Sequence, residues 1–327
     1  PWKYSVDHFV GRKTTEWIEN YAGDAPFAMM VGFPGPHSPY DPAEPYATLR
    51  PEDMPEPIVA NTDDTAVMRP ARQRSRGGGR RRSWYAVNNE QGPTCETYLL
   101  QRAYYAGLVR QIDIEVGRIV SALESKGVLE NTVIVFSSDH GDYLGDHGLS
   151  GKGSFYEGAC HVPMIVRHPG VRQPSVSEAL VTLTDVTATL LQSAGCQVPG
   201  YMDARPLPGL GLKGESDRDC VFGVLRNGWM AFDGKWKLVK YAQGAHLFNL
   251  EEDPKEERNR IADADCMVEA SRLDAALTAE MMRSMDESHF PGRIASSGNS
   301  SSVSFGRPGW ERAYPMRWSD VYPESEG

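Results

Sequence analysis

Between Asp139 and Lys152 the chain gathers three carboxylates, two imidazoles and one ammonium: Asp139, His140, Asp142, Asp146, His147 and Lys152. Carboxylates and imidazoles are ligands for a divalent cation, and an ammonium neutralises an anion. Gly141, Gly145, Gly148, Gly151 and Gly153 are interleaved with them, and glycine lets a backbone turn tightly and approach a ligand closely. Directly upstream, Val133-Ile-Val-Phe136 is an apolar, β-branched and aromatic run, the composition of a strand buried on both faces. Ligands of open α/β sheets collect beyond the carboxyl ends of strands. This charged loop therefore reads as a site and not as a solvated turn.

The elements that must position it can be read on either side. Leu108, Ile112, Glu115 with Val116, Ile119 and Leu123 recur every three or four residues, predicting a helix over residues 97–125. Gly127 closes it, and the following strand makes a helix-then-strand unit of an α/β sheet. Val6, Phe9, Val10, Trp17 and Ile18 predict a helix over residues 5–20. Residues 26–33 read as a second buried strand, leading into the proline-fixed loop Pro34-Gly-Pro-His37-Ser-Pro-Tyr40-Asp-Pro42. His37 then sits at a strand end, as Asp139 does, although a lone loop histidine is by itself structural or merely exposed. Residues 162–170 read as another buried strand with its exit turn. Residues 184–195 read as a short helix capped by Thr184 and stopped by Gly195. His161 and His168 flank that strand as structural or exposed groups. Asp233-Gly234 marks a hairpin over residues 229–241, followed by a strand at 245–250 and a helix at 265–284.

The motifs resemble those of the type I sulfatases of the alkaline phosphatase superfamily, which also holds the phosphonate monoester hydrolases. The resemblance rests on Ser138-Asp-His-Gly-Asp-Tyr-Leu-Gly-Asp-His-Gly148, Gly151-Lys-Gly-Ser-Phe-Tyr-Glu-Gly158, Val162-Pro-Met-Ile-Val166 and Pro36-His-Ser-Pro-Tyr40. It implies an α/β fold: an alkaline phosphatase-like mixed sheet sandwiched by helices over residues 1–215, a smaller C-terminal α+β subdomain over 216–290, and a linker with a docking tail over 291–327. It also implies a metal-dependent hydrolase of sulfate, phosphate or phosphonate esters. Asp139 and His140 would hold one divalent ion (Ca, Mn, Mg or Zn). Lys152 would neutralise a small anionic ester, and His37 would protonate or stabilise its leaving oxygen. Asp142 and His147 would orient the ligands, while Asp113 and Glu157 are structural.

In that family a first strand carries two metal-binding Asp. A Cys/Ser-x-Pro/Ala-x-Arg motif follows, whose Cys or Ser is oxidised to the nucleophilic formylglycine. No Cys or Ser of this chain stands in that motif. Three arrangements fit: a fragment or half of a split protein, a shortened hydrolase in which water attacks directly, or a catalytically inactive relative that binds an anion or a partner. A sheet edge left open would be covered by an N-terminal half or by a second copy.

Composition narrows the partners. A net charge of -10 argues against nucleic acid, and no apolar run is long enough to span a membrane. The Arg/Gly tract at 69–82 reads equally as a cationic rim, with Arg80, Arg81 and Arg82 drawing in anions, or as a solvated insertion. Five scattered cysteines with no CxxC pair form neither a disulfide framework nor a zinc finger, and they lean towards a reducing, cytoplasmic compartment.

Overall fold

The computed structural model describes residues 5–59, 94–200, 202–225 and 228–288. The chain divides into two compact units, Pro1–Asp274 and Ala275–Gly327. The Arg80–Arg82 rim and the tail from 291 onward lie outside the described residues.

Helix α1 (Val6–Asn20) is capped by Ser5, whose hydroxyl accepts the His8 N–H at 3.2 Å. Its helical period is as predicted, but the buried face is not. Asp7, Gly11, Thr14 and Ile18 face inward, while Val6, Phe9 and Trp17 are 61%, 52% and 41% exposed. The reason is the partner helix, α2 (Cys95–Ser125). A Cβ on Gly11 would lie 2.4 Å from the Glu115 carboxylate, so only the small-residue face of α1 can approach. Buried Glu115 takes a hydrogen bond from His8 Nδ1 at 2.8 Å and an ion pair from Arg118 at 2.5 Å. Helix α2 buries Leu108, Ile112, Glu115 and Leu123, the stripe read from sequence. It stops at Gly127 (φ +75°), where the Val128 N–H reaches Leu123 O at 3.1 Å.

Ile18, Ala122 and Leu123 form a small core that also receives Phe27, Ile119, Val128, Leu129 and Ile134. Strand β1 (Ile134–Ser137) leaves this core and pairs antiparallel with β2 (Met164–Arg167), Val135 opposite Val166. Two corrections follow. Residues 26–33 are not a strand, and Met30 is 96% exposed. Neither β1 nor β2 is buried on both faces, and Ile165 is 65% exposed. Apolar composition marks a strand, but ladder partners make one, and among the described residues none lies beside 26–33.

A turn at Glu157–Cys160 (α3) precedes β2, and α4 (Thr184–Ser193) follows it. Thr184 is the first helical residue of α4 and not its cap. Its hydroxyl pairs with Thr182 Oγ at 2.7 Å, and the buried Asp185 accepts the Thr182 N–H at 2.8 Å instead. Gly195 ends the helix at φ +74°. The chain then forms a four-stranded antiparallel meander: β3 (Val221–Leu225), β4 (Gly228–Phe232), β5 (Trp236–Tyr241) and β6 (Gly244–Asn249). Asp233 Oδ1 accepts the N–H groups of Lys235 and Trp236 at 2.9 and 2.7 Å, fixing the predicted β4–β5 turn. Helix α5 (Met267–Ser288) follows in sequence. This meander is packed on the charged loop: Val239, Tyr241 and Phe248 share one core with Tyr143, Leu149, Phe155, Tyr156 and Ala159.

Asp7 offers a pH test of the helix pair. It accepts the Gly35 N–H at 2.9 Å, yet burial first, then Asp41 and Glu115, push its carboxyl above the usual range. A raised acid costs stability when ionised, so its contribution is lost as pH rises. Asp7→Asn keeps the acceptor for Gly35. Its melting temperature is expected to exceed wild type at pH 8, with the gap closing below pH 3.8, the ordinary Asp value. A wild-type advantage at pH 8 would contradict this reading.

Candidate active site

Strand β1 delivers Asp139 and His140 to the surface. The Asp139 side chain is 83% exposed, and its Oδ2 lies 3.4 Å from His140 Nε2. Its Oδ1 accepts the His140 backbone N–H at 2.9 Å. His140 Nδ1 faces the Gly141 carbonyl at 3.0 Å. A carbonyl can only accept, so this contact takes its proton from Nδ1, and Nε2 is the ring atom turned towards the carboxylate. One carboxylate oxygen and one imidazole nitrogen, both open to solvent, suit a divalent cation as two of its ligands. Among the described residues no third His, Cys or carboxylate converges on them. The acidic group that does converge, Asp263, Asp265 and Cys266, is already ion-paired to Arg258 and Arg260.

The second pair is His37 and Lys152. Lys152 Nζ lies 2.9 Å from His37 Nε2, across 115 residues of sequence. His37 Nδ1 donates to Ser38 O at 2.7 Å, which leaves Nε2 free to accept from the ammonium. Both side chains are exposed, so an ammonium and an imidazole are held in one place on an open surface.

Asp142 ties the two pairs to one frame. Its Oδ2 accepts the buried Tyr40 hydroxyl at 2.7 Å, three residues after His37. Its Oδ1 accepts Leu144 N–H at 3.1 Å and Gly151 N–H at 3.0 Å, the latter next to Lys152. Asp142 thus holds the two loops against each other. Asp146 holds Arg102 of α2 at 2.5 Å and the Ile58 N–H at 2.8 Å. His147 is buried, stacked on Tyr156 with ring centroids 3.8 Å apart, and adopts φ +54°. Burial lowers its readiness to take a proton. Glu157 pairs with Lys237 at 2.7 Å, and Asp113 is exposed on α2. His161 pairs with Glu157 at 2.9 Å, and His168 accepts the Gly170 N–H at 3.1 Å. Cys160 is no nucleophile: although the residue is exposed, its sulfur rests 3.6 Å from Ser154 O, and burial pushes the thiol up to about 11.

Sequence reading missed Lys237 and Glu256. Lys237 is 1% exposed on β5 and contacts Glu157 at 2.7 Å and Glu256 at 2.6 Å. Its neighbours Lys235 and Lys240 are half-exposed surface lysines, and nothing in the local pattern sets it apart from them.

The Sulfatase family model matches residues 2–196, so the chain belongs to the sulfatase family of the alkaline phosphatase superfamily. It is 30% identical over 282 residues to an arylsulfatase of Clostridium perfringens, covering 80% of this chain and 55% of that protein. It is 32% identical over 296 residues to the multifunctional alkaline phosphatase superfamily protein PehA of Trinickia caryophylli, covering 80% and 57%. The phosphonate monoester hydrolase SpPMH of Silicibacter pomeroyi superposes with a TM-score of 0.73 at 25% identity, over 95% of this chain and 64% of that one. The chain thus spans a little over half the length of these curated relatives. Enzymes of this family generally use a divalent metal ion, and the α/β fold expected from the resemblance is the one observed.

Gly141 tests the loop directly. A Cβ there would lie 2.2 Å from Gly158 O, beside the Gly141 N–H to Ala159 O bond of 2.9 Å. Gly141→Ala is expected to lower unfolding free energy by about 1–3 kcal/mol in urea. Exposed Gly117 in α2 has open space around its Cβ position, and Gly117→Ala is expected to raise it by up to about 1 kcal/mol. Equal effects of the two substitutions would refute the tight-loop account.

Proposed function

We propose that this chain serves hydrolysis of a sulfate or phosphonate monoester, or a related phosphate ester, at the loops after β1 and around His37. The observation that carries this reading is the 2.9 Å contact between Lys152 Nζ and His37 Nε2. Two groups 115 residues apart meet on an open surface, where one supplies charge and the other a proton path. The relatives named as arylsulfatase and phosphonate monoester hydrolase act on such anionic esters.

In this reading the anion displaces the Lys152–His37 contact and is held by the ammonium. With Nδ1–H fixed on Ser38 O, Nε2, protonated from solvent, gives its proton to the leaving oxygen as water bonds to sulfur or phosphorus and the ester bond breaks, and the proton of the attacking water passes to solvent. Asp139 and His140 would hold the divalent cation, which supplies charge neutralisation at the ester's non-bridging oxygens. Asp142 keeps both loops in register through Tyr40, Leu144 and Gly151. No Cys or Ser stands in the formylglycine motif, so for the chain acting alone the attacking group is water. The second reading, an anion-binding relative without turnover, is favoured by the cation's having only two donors among the described residues.

The test is hydrolysis by the purified chain of aryl sulfate, phosphate diester and phosphonate monoester, with and without chelator. Turnover is expected to be chelator-sensitive, to disappear in Asp139→Ala, and to fall roughly 100-fold or more in kcat/KM in Lys152→Ala. Saturable binding of inorganic sulfate with no turnover of any ester would replace the hydrolase reading with the anion-binding one.

A further inference from the structure

Lys152 owes little of its direction to its own backbone. Gly151 (φ +75°) and Gly153 (φ +118°) flank it, and both conformations are ones that glycine visits freely. The aim of the ammonium is therefore set by what anchors the chain on either side. Upstream, Gly151 is fixed twice: its N–H donates to Asp142 at 3.0 Å, and its carbonyl accepts Tyr143 N–H at 2.9 Å. Downstream, Ser154 N–H donates to the buried Tyr143 hydroxyl at 2.7 Å.

The next anchors belong to a different part of the fold. Lys237 Nζ on β5 donates to Phe155 O at 2.8 Å and to Glu157 Oε1 at 2.7 Å. Glu256, 4% exposed in the turn after β6, accepts the Glu157 N–H at 2.6 Å through Oε2, while its Oε1 lies 2.6 Å from Lys237. The ammonium's polar contacts thus go to segment 155–157 or to the carboxylate that grips it. A buried lysine and carboxylate with a second, half-buried carboxylate are costly to desolvate, and an apolar side chain of similar volume commonly serves stability as well. What the charged set supplies is one fixed backbone conformation. Burial opposes the Lys237 ammonium, but Glu256 and Glu157 outweigh it and keep the charge. Burial also opposes ionisation of Glu157, yet His161 and Lys237 hold it down at about 2.

We propose that Lys237 and Glu256 are positioning residues for the anion end of the site, acting through the backbone of 155–157 on Lys152 without touching substrate. The proposal rests on the functional reading above, in which Lys152 receives the anion. It makes the meander the wall that aims the ammonium.

The experiment is a double-mutant cycle read by inorganic sulfate affinity and by amide hydrogen exchange. Lys237→Met leaves buried Glu256 without its cation and half-buried Glu157 with His161 alone, which puts folding at risk, so Glu256→Gln is the working variant. Glu256→Gln is expected to weaken sulfate binding roughly tenfold with Lys152 present and by less than about twofold in Lys152→Ala. Exchange at 153–157 is expected to rise about tenfold or more, with β4 and β5 unchanged. Equal losses of affinity in both backgrounds, or unchanged exchange at 153–157, would overturn the proposal. If wild type binds no sulfate, the functional reading fails. The exchange arm then still decides whether the pair holds this segment.

Discussion

The carboxylate of Asp142 is the constraint on which the site depends. One oxygen receives Tyr40 from the His37 loop, and the other receives two backbone N–H groups from the loop of Lys152. Without that convergence the two loops have no reason to share a register, because the residues between them in sequence pass through a long helix. A carboxyl group that accepts from three donors makes directional bonds that fix position better than apolar contact does. The contact between Lys152 and His37 follows from this arrangement.

Much of the site was legible because its chemistry is local. Asp139 and His140 are adjacent in sequence, and their pairing needs only a turn after an apolar strand. Gly141 could be recognised as necessary, but the clash with Gly158 that makes it so is a contact between segments. Lys237 and Glu256 could not be found in this way. A buried lysine on a strand looks like a surface lysine until the opposing segment is known, and its partners lie 80 residues upstream, at Glu157, and in a turn beyond the next strand. Helix α1 shows a related limit. Its period was correct, yet the packing face was chosen by Gly11 against Glu115 and not by Val6, Phe9 and Trp17. Residues 26–33 carried strand composition without a ladder, because pairing is a property of neighbours and not of a segment.

The meander β3–β6 gains a role from these contacts. Its inner face, Val239, Tyr241 and Phe248, completes the core under Tyr143, Leu149 and Tyr156, while Lys237 fastens the segment that leads away from Lys152. Loops are held precisely when their supports are rigid elements, and here a four-stranded antiparallel sheet provides that support. Family membership fits this division of labour, with motif residues on loops and packing residues on the sheet behind them.

The central claim is that His37 and Lys152 together receive an anion. Diffraction from crystals of the chain soaked in tungstate, an electron-dense analogue of sulfate, would test it most directly. The account predicts anomalous density within hydrogen-bonding distance of both Lys152 Nζ and His37 Nε2, and its loss from that place in Lys152→Ala. Tungstate bound elsewhere, with the Lys152–His37 contact intact and the site between them empty, would contradict it.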